Sequence, residues 1–291
     1  MQVIRGFPAR LGALLLPGAL LMALPQGAAA TAQVKPDATL AGLERLSHRR
    51  VFFGHQSVGG NILDGVRGLL SSPNPTAPAI VEVKDASATI PRGTLAHAFV
   101  GQNEQPETKL AHFERLLDGG VAKQVDVALM KFCYIDFNAS TDAKALFEKY
   151  RATLAGLKSR HPGVTFVHVT APLTTVQRGA KAWFNELRGR PVFGVGENVS
   201  REAFNALMRQ AYGGKEPLFD LAALESSQAD GTRETYEVNG RAYPALVPAY
   251  SDDGGHLNAQ GQARVASALV AFLAALPETP REAPASAKAG P

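Results

Sequence analysis

The sequence predicts a three-layer α/β/α sandwich built around a mostly parallel, five-stranded sheet. Strand-like and helix-like segments alternate along most of the chain. The run VDVALMKF at residues 125–132 is almost continuously apolar, which is typical of a strand covered on both faces. The helical segments between strands are long enough for the crossovers that parallel pairing needs. Such sheets place their chemistry at the carboxyl ends of the strands.

Each predicted element rests on a local pattern. Short apolar runs predict strands, and apolar residues at three- and four-residue spacing predict helices. The predicted strands are residues 51–53, 80–83, 125–132, 164–170 and 218–221. The predicted helices are residues 59–70, 108–117, a helix capped by Thr141 or Asp142 that runs to residue 160, residues 201–212 behind the cap Ser200, and residues 259–276.

Two connections are longer than this alternation requires. Residues 171–198 contain the only tryptophan, Trp183. Residues 225–252 contain an Asn-Gly pair between alternating residues, which predicts a hairpin over residues 236–243. Long excursions at this sheet edge often shape binding sites, so we expect the hairpin to overhang the site and select substrates. A hairpin packed on the outside of the domain is the alternative.

The two ends of the chain differ in composition from its centre. Residues 1–30 have a basic start, a short apolar run and a small-residue close, Ala28-Ala29-Ala30. This pattern predicts a cleaved secretory signal peptide, with an uncleaved anchor as the alternative. We expect a periplasmic or secreted domain over residues 31–276 that does not insert stably in a membrane after cleavage. Residues 277–291 are rich in Pro and Ala, which predicts a disordered tail.

Charge and cysteine content exclude some classes. The formal net charge is +4, and it falls to +2 without residues 1–30, which hold two Arg and no acid. That charge is too weak to indicate a nucleic-acid partner or an anionic membrane surface. The single cysteine, Cys133, excludes an internal disulfide, so stability must come from packing.

A serine follows the first predicted strand. The segment reads FGHQSVGGN, with Ser57 at a turn that is flanked by glycines and leads into a helix. Amides at a helix N-terminus favour a developing oxyanion, so Ser57 is a candidate nucleophile. The same serine could instead only cap the helix.

An acidic, glycine-rich turn precedes the last predicted helix. It reads DDGGHLNAQG, with Asp253 and His256 three residues apart. A neutral imidazole is the usual base for a serine nucleophile, and a carboxylate fixes its tautomer and stabilises its protonated form. The alternatives are a polar helix cap, or a metal loop that includes Asp252. The metal loop is disfavoured because no second His or Cys lies nearby at ligand spacing.

Together these segments resemble the SGNH/GDSL hydrolase superfamily, over about residues 51–273. In that family the nucleophilic serine follows the first strand, and a D-x-x-H pair precedes the last helix. Asp253-Gly254-Gly255-His256 is similar to that pair. The resemblance implies an SGNH/flavodoxin-like sandwich in which Ser57 attacks an ester, His256 serves as general base and then acid, and Asp253 orients His256. It implies no metal and no organic cofactor.

The internal blocks of the family match less well. Its oxyanion-hole glycine corresponds best to Gly101, and the resemblance implies an oxyanion hole of the Ser57 and Gly101 amides with Asn103 as side-chain donor. The family's Gly-x-Asn-Asp block is missing, although Asp136 is similar to its final residue. Asn138 is the alternative donor. Losing one such donor costs roughly 10²–10³ in rate.

Other side chains are weaker candidates. Cys133 is expected to be a core thiol that could also lie near the site. Lys131 is expected to pair with Asp136 or to reach solvent, with anion binding as the alternative. His55 is expected to support the serine turn, and His97 could line the pocket. Trp183 and Tyr243 could stack on a sugar ring, although a lone aromatic more often serves packing.

The sequence therefore predicts a secreted serine esterase that acts on a small-molecule or carbohydrate ester, such as O-acyl groups of cell-envelope carbohydrate. An O-acyltransferase with the same triad is one alternative. A non-catalytic glycan-binding protein of the same fold is the other, and it would explain the missing Asn block. Hydrolysis and transfer differ only in whether water or a hydroxyl group accepts the acyl group.

Overall fold

The computed structural model describes residues 36–70 and 77–278, so the predicted signal peptide and nearly all of the predicted tail lie outside the described residues. The helices are α1 Pro36–Leu46, α2 Ser57–Leu69, α3 Pro106–Asp118, α4 Ala143–Arg160, α5 Ala180–Leu187, α6 Val195–Tyr212, α7 Leu221–Glu225 and α8 Ala259–Ala275. The strands are β1 Arg50–His55, β2 Ala79–Glu82, β3 Thr94–Phe99, β4 Val127–Met130, β5 Thr165–Val169, β6 Leu218–Phe219, β7 Thr235–Val238 and β8 Arg241–Pro244.

The central sheet has six strands in the order β2-β3-β1-β4-β5-β6. Every neighbouring pair in it is parallel. The predicted fold class is confirmed, and the predicted count of five strands is wrong because β3 was missed. The sequence of β3, TLAHAF, contains Ala and His where β-branched residues usually mark a strand.

Alternating side chains of the strands form two separate cores, one on each face of the sheet. In β1, Phe52 joins one core, whereas Val51 and Phe53 join the other. Helices α3, α4 and α6 cover the first face, and α1, α2 and α8 cover the second. This arrangement is the predicted three-layer sandwich, and it fixes the carboxyl ends of the strands along one edge.

Four helices differ from the sequence-based prediction. Helix α7 was not predicted, and it begins at Leu221, where the fifth predicted strand was expected to end. Helix α1 precedes the first predicted element, and α5 lies inside the connection predicted over residues 171–198. Helix α6 begins at Val195, six residues before its predicted start. Gly194 explains that start: its backbone is left-handed (φ 82°), and a Cβ there would come within 2.1 Å of the Thr175 carbonyl oxygen.

The predicted hairpin is present as the antiparallel pair β7–β8. Asn239 (φ 52°) and Gly240 (φ 75°) both have left-handed backbones, as a tight hairpin turn requires. The Tyr236 hydroxyl donates to the Val195 carbonyl at 2.7 Å, so the hairpin is fixed to the start of α6. Within the described ranges, no helix combines the length and the apolarity that a bilayer span requires.

Candidate active site

The serine turn lies at the carboxyl end of β1, a central strand that pairs with β3 on one side and β4 on the other. Gln56 has an extended backbone, and α2 begins at Ser57. The Ser57 amide is therefore among the first N–H groups of the helix, which have no intrahelical acceptor. Gly59 allows the turn to close, because a Cβ there would come within 2.3 Å of the His55 side chain.

The turn before α8 brings the other two predicted residues to Ser57. His256 Nε2 lies 2.9 Å from Ser57 Oγ, and His256 Nδ1 lies 2.6 Å from Asp253 Oδ2. A carboxylate can only accept, so Nδ1–H donates to Asp253, and Nε2 is left to accept from the serine hydroxyl. The three side chains thus form one continuous hydrogen-bonded chain.

The Asp253 carboxylate is held in its charged form. Desolvation raises its pKa, but hydrogen bonds from the Gly255 amide and from the His256 side chain and amide outweigh that effect. The net result is a pKa well below the ordinary value of an aspartate. The group therefore keeps the charge that fixes the imidazole tautomer over the whole pH range in which an esterase is commonly assayed.

Neighbouring side chains hold the two segments in register. Asn61, one helical turn after Ser57, accepts a hydrogen bond from the Leu257 amide through Oδ1 at 3.2 Å. The Tyr134 ring packs edge-on against the His256 ring, with centroids 5.5 Å apart. Gly255 permits this packing, since a Cβ there would lie 2.7 Å from Tyr134 Cζ. The site thus has steric support on the side of the base.

Sequence reasoning missed these supporting residues. Asn61 was readable as a polar residue at i+4 from Ser57, and therefore on the same face of α2. Tyr134 directly follows the apolar run that ends at Cys133, which places it at the carboxyl ends of the strands. Gln56 Nε2 donates to the Val100 and Gly101 carbonyls at 2.9 and 3.0 Å. No local sequence pattern predicts these two hydrogen bonds.

The predicted oxyanion wall differs from the expectation. The Gly101 amide donates to His112 Nδ1 at 3.1 Å, so it is not free to face Ser57. Asn103 Oδ1 accepts from Lys109 Nζ at 3.0 Å. Asn138 Oδ1 accepts from the amide and hydroxyl of Ser140. These contacts engage the Gly101 amide and the two asparagine oxygens, but within the described residues they leave the Ser57 amide and the Asn103 and Asn138 Nδ2 groups without an acceptor, so the side-chain donor stays a prediction.

A buried ion pair explains why Lys109 lies beside Asn103. Lys109 Nζ lies 2.6 Å from Asp136 Oδ2, and both side chains are fully buried. Asp136 also accepts from the Cys133 and Glu104 amides. A buried charge needs such partners, so Asp136 shapes the loop after β4 by using all of its acceptor capacity there.

Lys131 does not follow the prediction that it pairs with Asp136 or reaches solvent. It is buried and its Nζ donates to the Phe132 carbonyl at 3.2 Å. Burial lowers its pKa, and the opposite charge of buried Glu225 partly offsets that effect. Burial also raises the pKa of Glu225 to about 8. Both side chains are buried and are therefore not open to a ligand.

The remaining candidates near Ser57 have defined places. Cys133 Sγ lies 3.9 Å from Ser57 Oγ and is buried. His55 is buried, and its ring bonds to the Gln56 carbonyl at 2.7 Å and to His97 Nδ1 at 3.1 Å. Desolvation lowers the pKa of His55 to about 3. A neutral, fully bonded imidazole supports the serine turn, as expected, and is not placed to act as a base.

The alternative of a metal loop at the turn before α8 fits these contacts poorly. Asp252 Oδ1 accepts from Asn258 Nδ2 at 3.0 Å, whereas Asp253 faces His256. The two carboxylates therefore serve different partners. Asn258 in turn caps α8 by accepting from the Gln260 and Gly261 amides.

A cavity of ≈ 540 Å³ adjoins this arrangement. Tyr134 forms part of its wall and also packs against His256, so one side chain connects the cavity with the base. Its lining combines apolar and aromatic surface with carboxylates and a guanidinium: Glu104, Tyr134, Ile135, Asp136, Phe137, Asn138, Phe193, Glu197 and Arg201. Such a lining suits a ligand that offers both an apolar face and hydroxyl groups.

No family model matches the sequence, and no curated protein matches it. Among solved structures, a GDSL-like lipase from Bacteroides thetaiotaomicron is 14% identical over 79% of this chain and 90% of that chain, with a TM-score of 0.46. A carbohydrate esterase family 3 protein from Talaromyces cellulolyticus is 14% identical over 77% and 94% of the two chains, with a TM-score of 0.42.

A further similar structure is the lipopolysaccharide acetyltransferase periplasmic domain of Salmonella ser. Paratyphi A, 13% identical over 80% of this chain and 87% of that one, with a TM-score of 0.41. All three TM-scores are below 0.5, so these likenesses carry no argument about the family of this chain. At such identities they say nothing of substrate, so a functional assignment has to rest on the side chains of this chain.

Proposed function

We propose that this chain is a divergent SGNH-type serine esterase. The observation that carries the proposal is the continuous Ser57–His256–Asp253 hydrogen-bonded chain, with distances of 2.9 and 2.6 Å. It lies at the carboxyl edge of a parallel sheet, where such folds place their reacting groups. This connectivity supports roles for Ser57 as nucleophile, His256 as base and Asp253 as the orienting acid.

In the proposed reaction, Ser57 Oγ attacks the ester carbonyl while its proton passes to His256 Nε2. The tetrahedral oxyanion is stabilised by the Ser57 amide at the start of α2. The intermediate collapses when His256 returns the proton to the leaving alcohol, which leaves an acyl group on Ser57. Water then attacks that acyl group while His256 takes a proton from it, and His256 returns this proton to Ser57 Oγ as the bond to the acyl group breaks and the free acid departs. Asp253 stabilises the imidazolium in both halves of the reaction.

An O-acylated carbohydrate is the substrate class that the adjoining cavity favours. The aromatic ring of Tyr134 and the ring of Phe193 offer faces for a pyranose, and Glu197 offers acceptors for its hydroxyl groups. A long acyl chain in the cavity would leave the carboxylates of Glu104 and Glu197 desolvated without partners, which is costly. We therefore expect short acyl groups on a sugar to be preferred over long-chain lipids.

The proposal is tested with a short-chain chromogenic ester and the Ser57→Ala variant. We expect turnover by the native chain and a loss of about 10⁴-fold or more in the variant. Absence of turnover with simple esters and acetylated sugars alike, together with retained sugar binding, would favour the non-catalytic alternative. Adding a sugar acceptor distinguishes acyl transfer from hydrolysis, since transfer forms an acylated sugar in place of the free acid.

Export belongs to the same proposal and rests on residues 1–30 alone. Their basic start and Ala-x-Ala close predict cleavage after Ala30. Expression of the full chain with its own N-terminus, followed by N-terminal sequencing of the cell-envelope fraction, tests this point. A chain that stays uncleaved in the cytoplasm would contradict it without affecting the esterase assignment.

A further inference from the structure

Exposed large apolar side chains are concentrated in one short part of this molecule. Helix α5 carries Trp183, Phe184 and Leu187, which are 57%, 48% and 68% exposed. Trp183 and Leu187 are four residues apart, and Phe184 and Leu187 are three apart, so the three share one stripe of the helix. Only Ala182 of this helix is buried among its described side chains. The outward face of α5 is therefore an apolar ridge.

Cations surround this ridge. Residues 178–193 contain four basic residues and a single acidic one. Lys181, Arg188 and Arg190 are exposed, and none of them makes an ion pair within the described part of the chain. Arg178 is bound to Glu234 and to the Thr235 carbonyl. Three exposed cations on or just after a helix that presents a tryptophan, a phenylalanine and a leucine are typical of a segment that lies on an anionic bilayer.

Residues 177–193, the lobe that carries α5, contact the candidate site where this segment begins and ends. The Gln177 amide donates to the Phe193 carbonyl at 3.1 Å, which closes the lobe. The Thr175 amide donates to the Gly254 carbonyl at 2.8 Å, next to Asp253. Phe193 lies against the same turn, since a Cβ at Gly254 would come within 3.3 Å of its ring. A surface bound by α5 would therefore lie beside the cavity mouth.

We propose that α5 docks this protein on the surface of an anionic phospholipid bilayer. Trp183, Phe184 and Leu187 enter the interface, and Lys181, Arg188 and Arg190 contact lipid phosphates. The net charge of the chain is too small to indicate such a partner, but the local charge of the lobe is not. This inference stands apart from the proposed ester chemistry, because binding requires no turnover.

The single tryptophan makes the test direct. Because Trp183 is the only tryptophan, the intrinsic tryptophan fluorescence of the full chain reports on α5 alone. We mix the full chain with vesicles of about one part phosphatidylglycerol to three parts phosphatidylcholine, and with pure phosphatidylcholine vesicles. With the anionic vesicles we expect a blue shift and cosedimentation, both weakened by added salt. With the neutral vesicles we expect only weak binding.

Matched variants separate the ridge from the rest of the chain. Leu187→Ser should weaken vesicle binding about ten-fold, whereas Leu40→Ser, at a 52% exposed leucine of α1, should not. Lys181→Glu should weaken vesicle binding about ten-fold or more. Lys144→Glu, at an exposed lysine of α4, should have little effect. All four sites are on the surface, so the variants are expected to fold.

Three results would overturn the proposal. One is binding without a fluorescence shift, which would attribute attachment to another segment such as residues 1–30. Another is equal binding by the Leu187→Ser and Leu40→Ser variants. The third is a self-associated chain that becomes monomeric in Leu187→Ser and does not bind vesicles, which would make a second copy the occupant of the ridge. Ester turnover by Leu187→Ser, measured separately, tests the proposed function and not the docking.

Discussion

Two histidine–aspartate pairs with the same N–O distance lie at opposite ends of the strands of this sheet. His256 lies 2.6 Å from Asp253, and His161 lies 2.6 Å from Asp118. The first follows the carboxyl ends of the strands and adjoins Ser57. The second lies at the end of α4, just before β5 begins at Thr165, and therefore at the amino edge of the sheet.

The surroundings of the two pairs differ more than the pairs do. Asp253 is engaged by the amides of its own turn, and the free ring nitrogen of its histidine faces a hydroxyl. Asp118 is shared with Arg160, which donates to it through Nε and Nη2. The contrast shows that a short His–Asp contact indicates no chemistry by itself. A nucleophile and an unpaired helix amide beside the imidazole are what make a candidate active site.

The largest expected effect separates the two histidines. His256→Ala should lower kcat/KM for a short ester by about 10⁴-fold or more, because it removes the base and the later acid. His161→Ala should leave kcat/KM within about two-fold, since a surface change away from the site has little effect. Equal losses in the two variants would remove the distinction drawn between the pairs.

The next effect concerns the two carboxylates. Asp253→Asn should lower kcat by about 10²–10⁴-fold, because an amide can donate to Nδ1 and favour the wrong imidazole tautomer. Asp118→Asn should leave kcat unchanged while slightly lowering stability through the loss of the Arg160 contact. A pH profile of both variants with the same ester is the measurement. A kcat for Asp253→Asn near that of the native chain would show that the His256 tautomer is set by another group.

A smaller effect is expected in stability against pH. Desolvation lowers the pKa of His55 to about 3, so the unfolded chain binds a proton that the folded chain does not between the ordinary histidine pKa and that value. The free energy of unfolding should therefore fall as pH falls through this window.

Denaturant titrations at about pH 7 and about pH 4.5 should show a smaller loss in His55→Gln than in the native chain, by about 2 kcal/mol. His48→Gln, at an exposed histidine, is the control for the change of residue type. An unchanged pH dependence in His55→Gln would mean that this imidazole is not the group that resists protonation in the folded state.

The smallest effect is expected at the two asparagines that the sequence offers as oxyanion donors. The Asn103 side chain is bound to Lys109, and that of Asn138 is bound to Ser140. We expect Asn103→Ala and Asn138→Ala each to keep kcat within about three-fold, against the 10²–10³-fold loss typical of a removed oxyanion donor. A loss of that larger size in either variant would show that its side chain turns toward Ser57 when substrate binds.

These outcomes reflect what the sequence could and could not reveal. The sandwich was predictable because β1, β4 and β5 are continuous apolar runs separated by amphipathic helices. Ser57 and the Asp253–His256 pair were predictable because each lies within a short local pattern at a strand or helix end. The positions of all three follow from topology, since parallel strands end at one edge.

The surroundings of Gly101 and Asn103 depend on contacts that local sequence patterns do not reveal. Nothing in the local sequence shows that Lys109 reaches across to Asp136, or that His112 accepts from the Gly101 amide. Strand β3 was missed for a different reason, because its Ala and His residues have weak strand propensity and pairing with β1 and β2 overrides that propensity. Tertiary partners thus decided the features that local patterns could not.

The central claim is that Ser57 is a nucleophile activated by the His256–Asp253 pair. Mass spectrometry of the chain after incubation with a fluorophosphonate tests it most directly. We expect one adduct per chain, on the peptide that contains Ser57, with no adduct in Ser57→Ala and strongly slowed labelling in His256→Ala but not in His161→Ala. An adduct on Cys133, whose sulfur lies 3.9 Å from Ser57 Oγ, or equal labelling of all three variants, would contradict the claim.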